Sequence, residues 1–134
     1  LHPVAHSFPT RRSSDLVTVV PVIDAKKNHY YAALYQHSGR ITDYLDIGGE
    51  ELVELISMHT PALITGSAAF HFSDAADGRR ISLDTRTASG TGFPLLQLGV
   101  ERWRKGARDA ISEGPLYIRK SDAELMFGKK QDGQ

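Results

Sequence analysis

Acidic residues end several of the β-strands that the sequence predicts. Asp24 and Asp84 each close a short apolar run, and Asp46 and Glu50 lie near the end of a third. Carboxylates gathered at neighbouring strand ends can hold two divalent cations for phosphoryl chemistry. The alternative is that they cap turns and helix N-termini, where such residues are common. The residue types favour caps, with Asp24 and Asp84 as candidate metal ligands.

Two glycine-containing loops are candidate phosphate sites. The segments "DIGGEE" (46–51) and "TGSAA" (65–69) could bring backbone N–H groups to a phosphate. Neither matches the G-x-x-x-x-G-K-[ST] pattern, and "TASGTG" (87–92) lacks the lysine and the strand-to-helix context of a phosphate-binding loop. Plain turns are the favoured interpretation of all three.

The histidines and serines form no recognised catalytic pattern. Four histidines follow the predicted first strand without H-E-x-x-H or comparable ligand spacing, namely His29, His37, His59 and His71. No serine lies in a G-x-S-x-G motif, and the chain has no cysteine to supply a thiolate. These patterns argue against a zinc enzyme and against a protease.

Composition indicates an ordinary globular protein of 134 residues, with 40% hydrophobic and 24% charged residues. Sixteen basic and sixteen acidic residues cancel, so overall charge does not indicate a polyanion-binding surface. The last predicted helix has a basic side that could contact nucleic-acid phosphates, formed by Arg102, Arg104, Lys105 and Arg108. A solvated helix face, favourable near the negative end of the helix dipole, is the preferred interpretation.

The location that we expect is the cytoplasm. The absence of cysteine suits a reducing compartment. No apolar run approaches the roughly 20 residues that cross a bilayer, so we expect no membrane partner.

Hydrophobic periodicity predicts a three-stranded meander followed by α/β crossovers. The predicted strands and helices, in order, are strands 17–24, 29–36 and 40–47, helix 48–59, strand 62–65, a loop with a short helix over 66–78, strand 79–85 and helix 93–111. The order βββαβαβα with a mixed sheet is that of the ribonuclease H-like fold, which also forms each half of actin-like ATPases. Right-handed crossovers would make strand 17–24 central. Pro21 is the weak point, because proline cannot donate to a ladder.

The opening residues differ from the rest. "HSFPTRRSSDL" (6–16) resembles the translation of a sequencing-library adapter in one reading frame. We therefore expect segment 1–16 to be artefactual or disordered, the domain to cover 17–125, and 126–134 to form a disordered tail.

Three segments, in order, resemble the C-terminal domain of the TsaB family, a subunit of bacterial tRNA threonylcarbamoyladenosine biosynthesis. They are "PVIDAKKNHYYAALYQ" (21–36), "LITGSAA" (63–69) and "GPLYIRKSDAEL" (114–125). The residues that carry the resemblance, with no role assigned to them, are Asp24, Ala25, Gly66, Pro115, Tyr117 and Arg119. The resemblance covers about residues 17–125 and implies one half-domain of the actin-like ATPase superfamily.

The function that the resemblance implies is that of a non-catalytic scaffold. TsaB-like proteins pair with a homologous catalytic subunit, TsaD, and with a small ATPase, TsaE. Together these transfer threonylcarbamoyl to adenosine 37 of tRNA. We therefore expect no enzymatic activity in this chain, no cofactor, and only indirect contact with tRNA. The histidine metal motif of the catalytic subunit has no counterpart in the sequence.

Two alternatives remain open from the residues. One is a ribonuclease H-like, metal-dependent nuclease or phosphotransferase that uses Asp24 and Asp84. The other is a protease, which is disfavoured because neither a histidine motif nor a nucleophile motif is found.

The resemblance also predicts how the chain behaves alone. In the family, pairing with the catalytic subunit is largely the work of an N-terminal domain, and no such domain is recognised in the sequence. One half of a two-domain protein exposes the apolar surface on which the other half would dock, so we expect copies of this chain to associate with one another. We expect no heterodimer, and co-purification with the catalytic subunit at micromolar affinity would refute this.

Overall fold

The computed structural model of the chain describes residues 17–88, 92–120, 124, 126 and 127. The predicted segment 1–16, and the predicted tail 126–134 apart from its first two residues, lie outside this description. The chain divides into two compact units, Leu1–Ser89 and Gly90–Gln134, each of which is described by itself. None of the helices in the described ranges has both the length and the apolar character to cross a bilayer.

The first unit is a mixed α/β structure, which confirms the predicted class. Its elements, in chain order, are β1 (Thr18–Asp24), β2 (His29–Ala32), β3 (Tyr35–Gln36), β4 (Gly39–Arg40), β5 (Leu45–Gly48), α1 (Gly49–Ser57), β6 (Ala62–Thr65), a 3₁₀ turn (Ala69–Phe72), α2 (Ser73–Ala76), β7 (Ile81–Asp84) and a second 3₁₀ turn (Thr85–Ala88). The predicted strands 29–36 and 40–47 are each split in two, because the chain leaves the ladder in the middle of each.

The seven strands form one mixed sheet around β1. On one side, Val22 pairs antiparallel with Ala32 of β2 and Val19 with Tyr35 of β3, in one continuous register. The strands β4 and β5 lie beyond, antiparallel to β3 and β2. On the other side β6 is parallel to β1, and β7 is parallel to β6. The sheet is therefore five strands wide, with β1 in the centre as predicted.

Pro21 is tolerated in this central strand because the antiparallel ladder is interrupted beside it. In the shared register Pro21 lies opposite Ala33, in the gap between β2 and β3. Leu34, in the same gap, stays bonded to the segment that joins β4 and β5. Its N–H donates to Thr42 Oγ1 at 3.1 Å, and its carbonyl accepts from Ile41 N at 2.8 Å. The missing proline donor therefore coincides with the gap in the antiparallel ladder, while Pro21 stays in register with Thr65 on the other edge of β1.

The core lies on one face of the sheet, beneath α1 and the helical segment 69–76. Alternation along β1 turns Thr18, Val20 and Val22 to this face, where they are fully buried. Leu52 and Ile56 of α1, four residues apart, are fully buried against them. The other fully buried large side chains are Leu34 and Ile64. On the opposite face, Ile23 is 57% exposed.

Gly66 brings the chain after β6 against the backbone of β1. Its φ is +106°, which L side chains rarely adopt. A Cβ at this position would lie 2.5 Å from Val22 O and 3.0 Å from Val22 N. The same carbonyl accepts a hydrogen bond from Ala68 N at 3.4 Å. The turn that begins the 3₁₀ segment therefore requires glycine.

The second unit contains α3 (Gly92–Arg104), a helix with no buried residue. The helix predicted over 93–111 ends early, and the reason is Gly106, whose φ is +93°. Ala107 N donates to Arg102 O and Gly106 N donates to Trp103 O, which together form a Schellman motif. Lys105 Nζ lies 3.0 Å from Glu101 Oε1, an i, i+4 ion pair at the end of the helix.

The close approach at Gly66 generates a stability prediction. We expect Gly66→Ala to lower the free energy of unfolding by about 3 kcal/mol or more, because strain at positive φ adds to a clash with backbone. Gly78→Ala is the matched control, since Gly78 also has positive φ (+70°) but nothing lies within 4 Å of its added Cβ. We expect it to cost about 1 kcal/mol. Equal losses in urea denaturation would contradict the close approach.

Candidate functional site

Asp24 caps the turn that follows β1. Its Oδ1 accepts the backbone N–H of Lys26 at 2.7 Å, and its Oδ2 lies 3.4 Å from Lys26 Nζ. The pKa of Asp24 is lowered from its ordinary value, first by that backbone hydrogen bond and then by the charge of Lys26, against an opposing effect of burial. The charge of His71 lowers it further. Asp24 therefore forms an Asx turn reinforced by a cation.

The turn after Asp24 is left-handed over three successive non-glycine residues. Lys26, Lys27 and Asn28 have φ values of 66°, 55° and 59°. Ala25 N donates to His29 O at 2.9 Å, and His29 N donates to Lys26 O at 3.0 Å, which closes the β1–β2 hairpin. Positive φ is tolerated by asparagine and is costly for lysine. The cap from Asp24 is one interaction that offsets this cost.

Asp84 repeats the same arrangement at the end of β7. Its Oδ1 accepts the backbone N–H of Arg86 at 3.2 Å and the guanidinium Nε of Arg86 at 2.9 Å. The pKa of Asp84 is lowered, first by the side-chain hydrogen bond from Arg86. Both candidate metal ligands are thus engaged by the backbone and side chain of a basic residue two positions later.

The sheet keeps the two aspartates apart. Pro21 is in register with Thr65, and Thr65 with Asp84, so Asp84 lies two strands across and three residues back from Asp24. Strand spacings of about 4.8 Å and a rise of about 3.3 Å per residue give roughly 14 Å between their α-carbons. Alternation turns Asp24 to the helix-covered face and Asp84 to the other. They cannot ligate one cation, which needs oxygens within about 2.6 Å.

The other acidic candidates are also dispersed. Asp46 Oδ1 lies 2.9 Å from His29 Nδ1, a pair that bridges β5 and β2. Glu50 is in the first turn of α1, where the helix dipole favours it. Over the described ranges, no group of three or more His, Cys, Asp or Glu side chains could hold a metal ion.

A cleft of about 480 Å³ lies between α1 and the helical segment 69–76, on the helix-covered face. Glu50, Val53 and Glu54 of α1 form one wall. His71, Ala75 and Arg79 form the other. Between these walls the lining is completed by aromatic rings, those of Tyr30 and Phe72, and by Asn28 from the left-handed turn. The volume is in the range of small-molecule sites.

Tyr30 and His71 form the aromatic centre of this cleft. Tyr30 Oη is 3.0 Å from His71 Nδ1, a hydrogen-bonding distance. The rings of Tyr30 and Phe72 are 4.8 Å apart. Burial raises the pKa of Tyr30, and the charge of Asp24 adds to the shift, so the phenol stays protonated at neutral pH. Tyr30 is 9% exposed and belongs to the core cluster.

The six residues that carry the family resemblance fall in both units. Asp24, Ala25 and Gly66 lie at the turns that join the central strands, and Ala25 is buried. Pro115, Tyr117 and Arg119 lie in the irregular segment of the second unit, with Tyr117 81% exposed and Arg119 partly buried. The first three therefore have a structural account, in capping, hairpin closure and close backbone approach.

The basic side of α3 is partly engaged in local contacts. Lys105 pairs with Glu101, and Arg108 donates to Trp103 O at 2.9 Å with its guanidinium 4.8 Å from the Trp103 ring. All four basic side chains are exposed.

The cleft was not predicted from the sequence. Tyr30 and His71 are 41 residues apart, and no short motif joins them to Glu54 or Arg79. The available signal was the i, i+4 spacing of Glu50 with Glu54, which places this pair on one face of α1. Arg79 lies beyond the end of α2 at Ala76, so no helical spacing links it to the cleft.

No family model, no curated protein and no solved structure matches the chain.

The two capped turns generate a pH prediction. Because the folded-state pKa of each aspartate is depressed, its stabilising effect is present above the ordinary value of 3.8 and is lost as pH falls through the lower folded value. We expect Asp24→Asn and Asp84→Asn each to reduce stability at pH 7, and the difference from the parent chain to narrow below pH 3.8.

The double variant checks that the two sites are independent. Since no partner is shared across about 14 Å, we expect the two losses to add in urea denaturation at pH 7. Strong coupling between the two substitutions would contradict the separation of the aspartates.

Proposed function

We propose that the chain is a non-catalytic scaffold subunit of the complex that installs threonylcarbamoyl on adenosine 37 of tRNA. Its partners in this proposal are a TsaD-like catalytic subunit and a TsaE-like ATPase, with tRNA met only through them. The first unit is proposed to have the ribonuclease H-like fold of one half of an actin-like ATPase, and the chain to act in the cytoplasm.

The arrangement of the sheet supports the fold part of this proposal. The chain first forms three antiparallel rows of the sheet, namely β1, then β2 with β3, then β4 with β5. Two further strands, β6 and β7, are reached through helical crossovers and lie parallel to β1. Strand β1 is central, as the ribonuclease H-like order requires. The mixed sheet and the helices on the face that holds the core are both consistent with that order.

The observation that supports the scaffold role is the set of contacts that Asp24 and Asp84 make. In a ribonuclease H-like enzyme, strand-end carboxylates would converge on divalent cations. Here each carboxylate caps its own turn and pairs with its own basic residue, Lys26 or Arg86. The two also face opposite sides of the sheet. Their geometry supports a role in shaping the sheet ends.

A chimaera tests this function in cells. The chain would be joined behind the N-terminal domain of a characterised TsaB protein and expressed in bacteria depleted of their own TsaB. We expect the chimaera to restore threonylcarbamoyladenosine, measured by mass spectrometry of tRNA nucleosides, and the N-terminal domain alone to fail. A chimaera that accumulates and binds the catalytic subunit without restoring the modification would overturn the proposal.

Two variants of the chimaera separate scaffold from enzyme. Asp24→Asn keeps an oxygen that can cap the turn and removes the charge that a metal ion needs, so we expect the modification to be unchanged. Gly66→Ala disrupts the close approach to β1, so we expect the modification to be lost with the fold. Loss of modification in a folded Asp24→Asn chimaera would favour a metal-dependent activity.

A further inference from the structure

We propose that α3 is a dimerisation helix, which packs in antiparallel orientation against the α3 of a second copy of this chain. The proposal goes beyond the scaffold role, because it gives the chain a partner other than the catalytic subunit, the ATPase and tRNA. The self-association expected from the sequence named no surface, and α3 supplies one. The helix lies wholly within the second unit, and every residue used below is among those that the structure describes.

One side of α3 carries an exposed apolar stripe. Its members recur at intervals of three and four residues and line a groove of about 460 Å³, and they are Gly92, Leu95, Leu96, Gly99, Val100 and Trp103. Leu96 is 63% exposed and Trp103 is 60% exposed, and no residue of α3 is buried. A contiguous apolar surface of this kind, exposed on a helix with a charged side, is typical of an interaction site.

The charged residues of α3 lie away from the stripe. With about 3.6 residues per turn, Glu101, Arg104 and Lys105 fall on the other side of the helix, where Glu101 and Lys105 pair at 3.0 Å. Arg102 lies at the edge of the stripe, where a long side chain keeps its charge in water. A second helix can therefore cover the stripe without burying an unpaired charge.

Small and large residues alternate along the centre of the stripe. The order is Gly92, Leu96, Gly99 and Trp103. A Cβ added at either glycine would meet nothing within 4 Å, so both positions are open holes in the helix surface. Leu96 and Trp103 are side chains of the size that fills such holes when two helices pair.

Antiparallel pairing matches each large residue to a hole. A two-fold axis midway between residues 97 and 98 sets Leu96 opposite Gly99 of the second copy, and Trp103 opposite its Gly92. Parallel pairing would set leucine against leucine and glycine against glycine, which crowds one layer and leaves a void in the next. The stripe is therefore complementary to itself in one orientation, and this is the reason for choosing a second copy of the chain as the occupant.

Analytical ultracentrifugation of the full chain tests the association. A helix of 13 residues is about 20 Å long, so the contact is at the small end of specific interfaces. We expect a monomer–dimer equilibrium with a micromolar Kd. A chain that remains monomeric up to about 1 mM would overturn the proposal. Assemblies larger than a dimer would also contradict it, because a two-fold contact closes on itself.

A size swap tests the pairing of Leu96 with Gly99. Leu96→Gly leaves a void opposite Gly99, and Gly99→Leu sets two leucines against each other, so each change is expected to weaken the dimer at least about tenfold. The double variant again pairs one large residue with one hole, and its Kd is expected to return to within about threefold of the parent value. A folded double variant that does not recover would refute the proposed register.

Two comparisons separate the contact from the stability of the helix. Leu98 is 57% exposed but lies outside the groove, and Leu98→Gly carries the same helix-propensity cost as Leu96→Gly. We expect Leu98→Gly to change the Kd by less than about threefold. Gly99→Leu is expected to raise helix content in circular dichroism while it weakens the dimer. Equal weakening by Leu98→Gly and Leu96→Gly would rule out the stripe as the contact.

Cysteine variants test the orientation, since the chain has no cysteine of its own. In a mixture of Gly92→Cys and Trp103→Cys chains, oxidation is expected to join the two variants, because these positions face each other in the antiparallel dimer. Two Trp103→Cys chains are expected not to join, because their positions lie about 17 Å apart along the helix axis. The reverse pattern would contradict antiparallel pairing. None of these results depends on the scaffold role, which the chimaera tests separately.

Discussion

Strand β1 is hydrogen-bonded along both edges, and the first unit is built around that constraint. Antiparallel partners occupy one edge and a parallel partner the other, while alternate side chains enter the core beneath α1. Because β1 is enclosed in this way, the backbone segments beside it pack closely against it. It requires glycine at position 66, because the following turn passes against the Val22 carbonyl. It also accepts Pro21 only where the second strand is interrupted.

The strand ends show how the same residue type can serve structure or chemistry. Asp24 and Asp84 occupy positions where carboxylates could bind cations. Each instead accepts hydrogen bonds from the backbone and the side chain of a basic residue two positions later. Three left-handed residues follow Asp24, so its cap offsets part of the cost of an unfavourable backbone conformation. In the proposed scaffold, the aspartates at the strand ends stabilise turns, and the cleft lies on the helix-covered face.

Periodicity was sufficient to predict the parts of the fold that depend on local pattern. The apolar run of β1, the helix α1 and strand β6 were predicted to within about two residues at each end. The breaks at Ala33–Leu34 and after Arg40 were not, because they arise from pairing with other strands. The end of α3 was missed, although the glycine that ends it, Gly106, is visible in the sequence. The cleft depends on contacts across 41 residues, which no local pattern contains.

The central claim is that the acidic strand ends hold turns and do not gather metal ions. Manganese titrated into the ¹⁵N-labelled chain tests it most directly, because the ion broadens nearby amide signals. We predict only weak, non-saturating broadening, with no focus at the amides of residues 24–26 or 84–86. Saturable broadening at either turn, abolished by Asp24→Asn or Asp84→Asn, would contradict the claim.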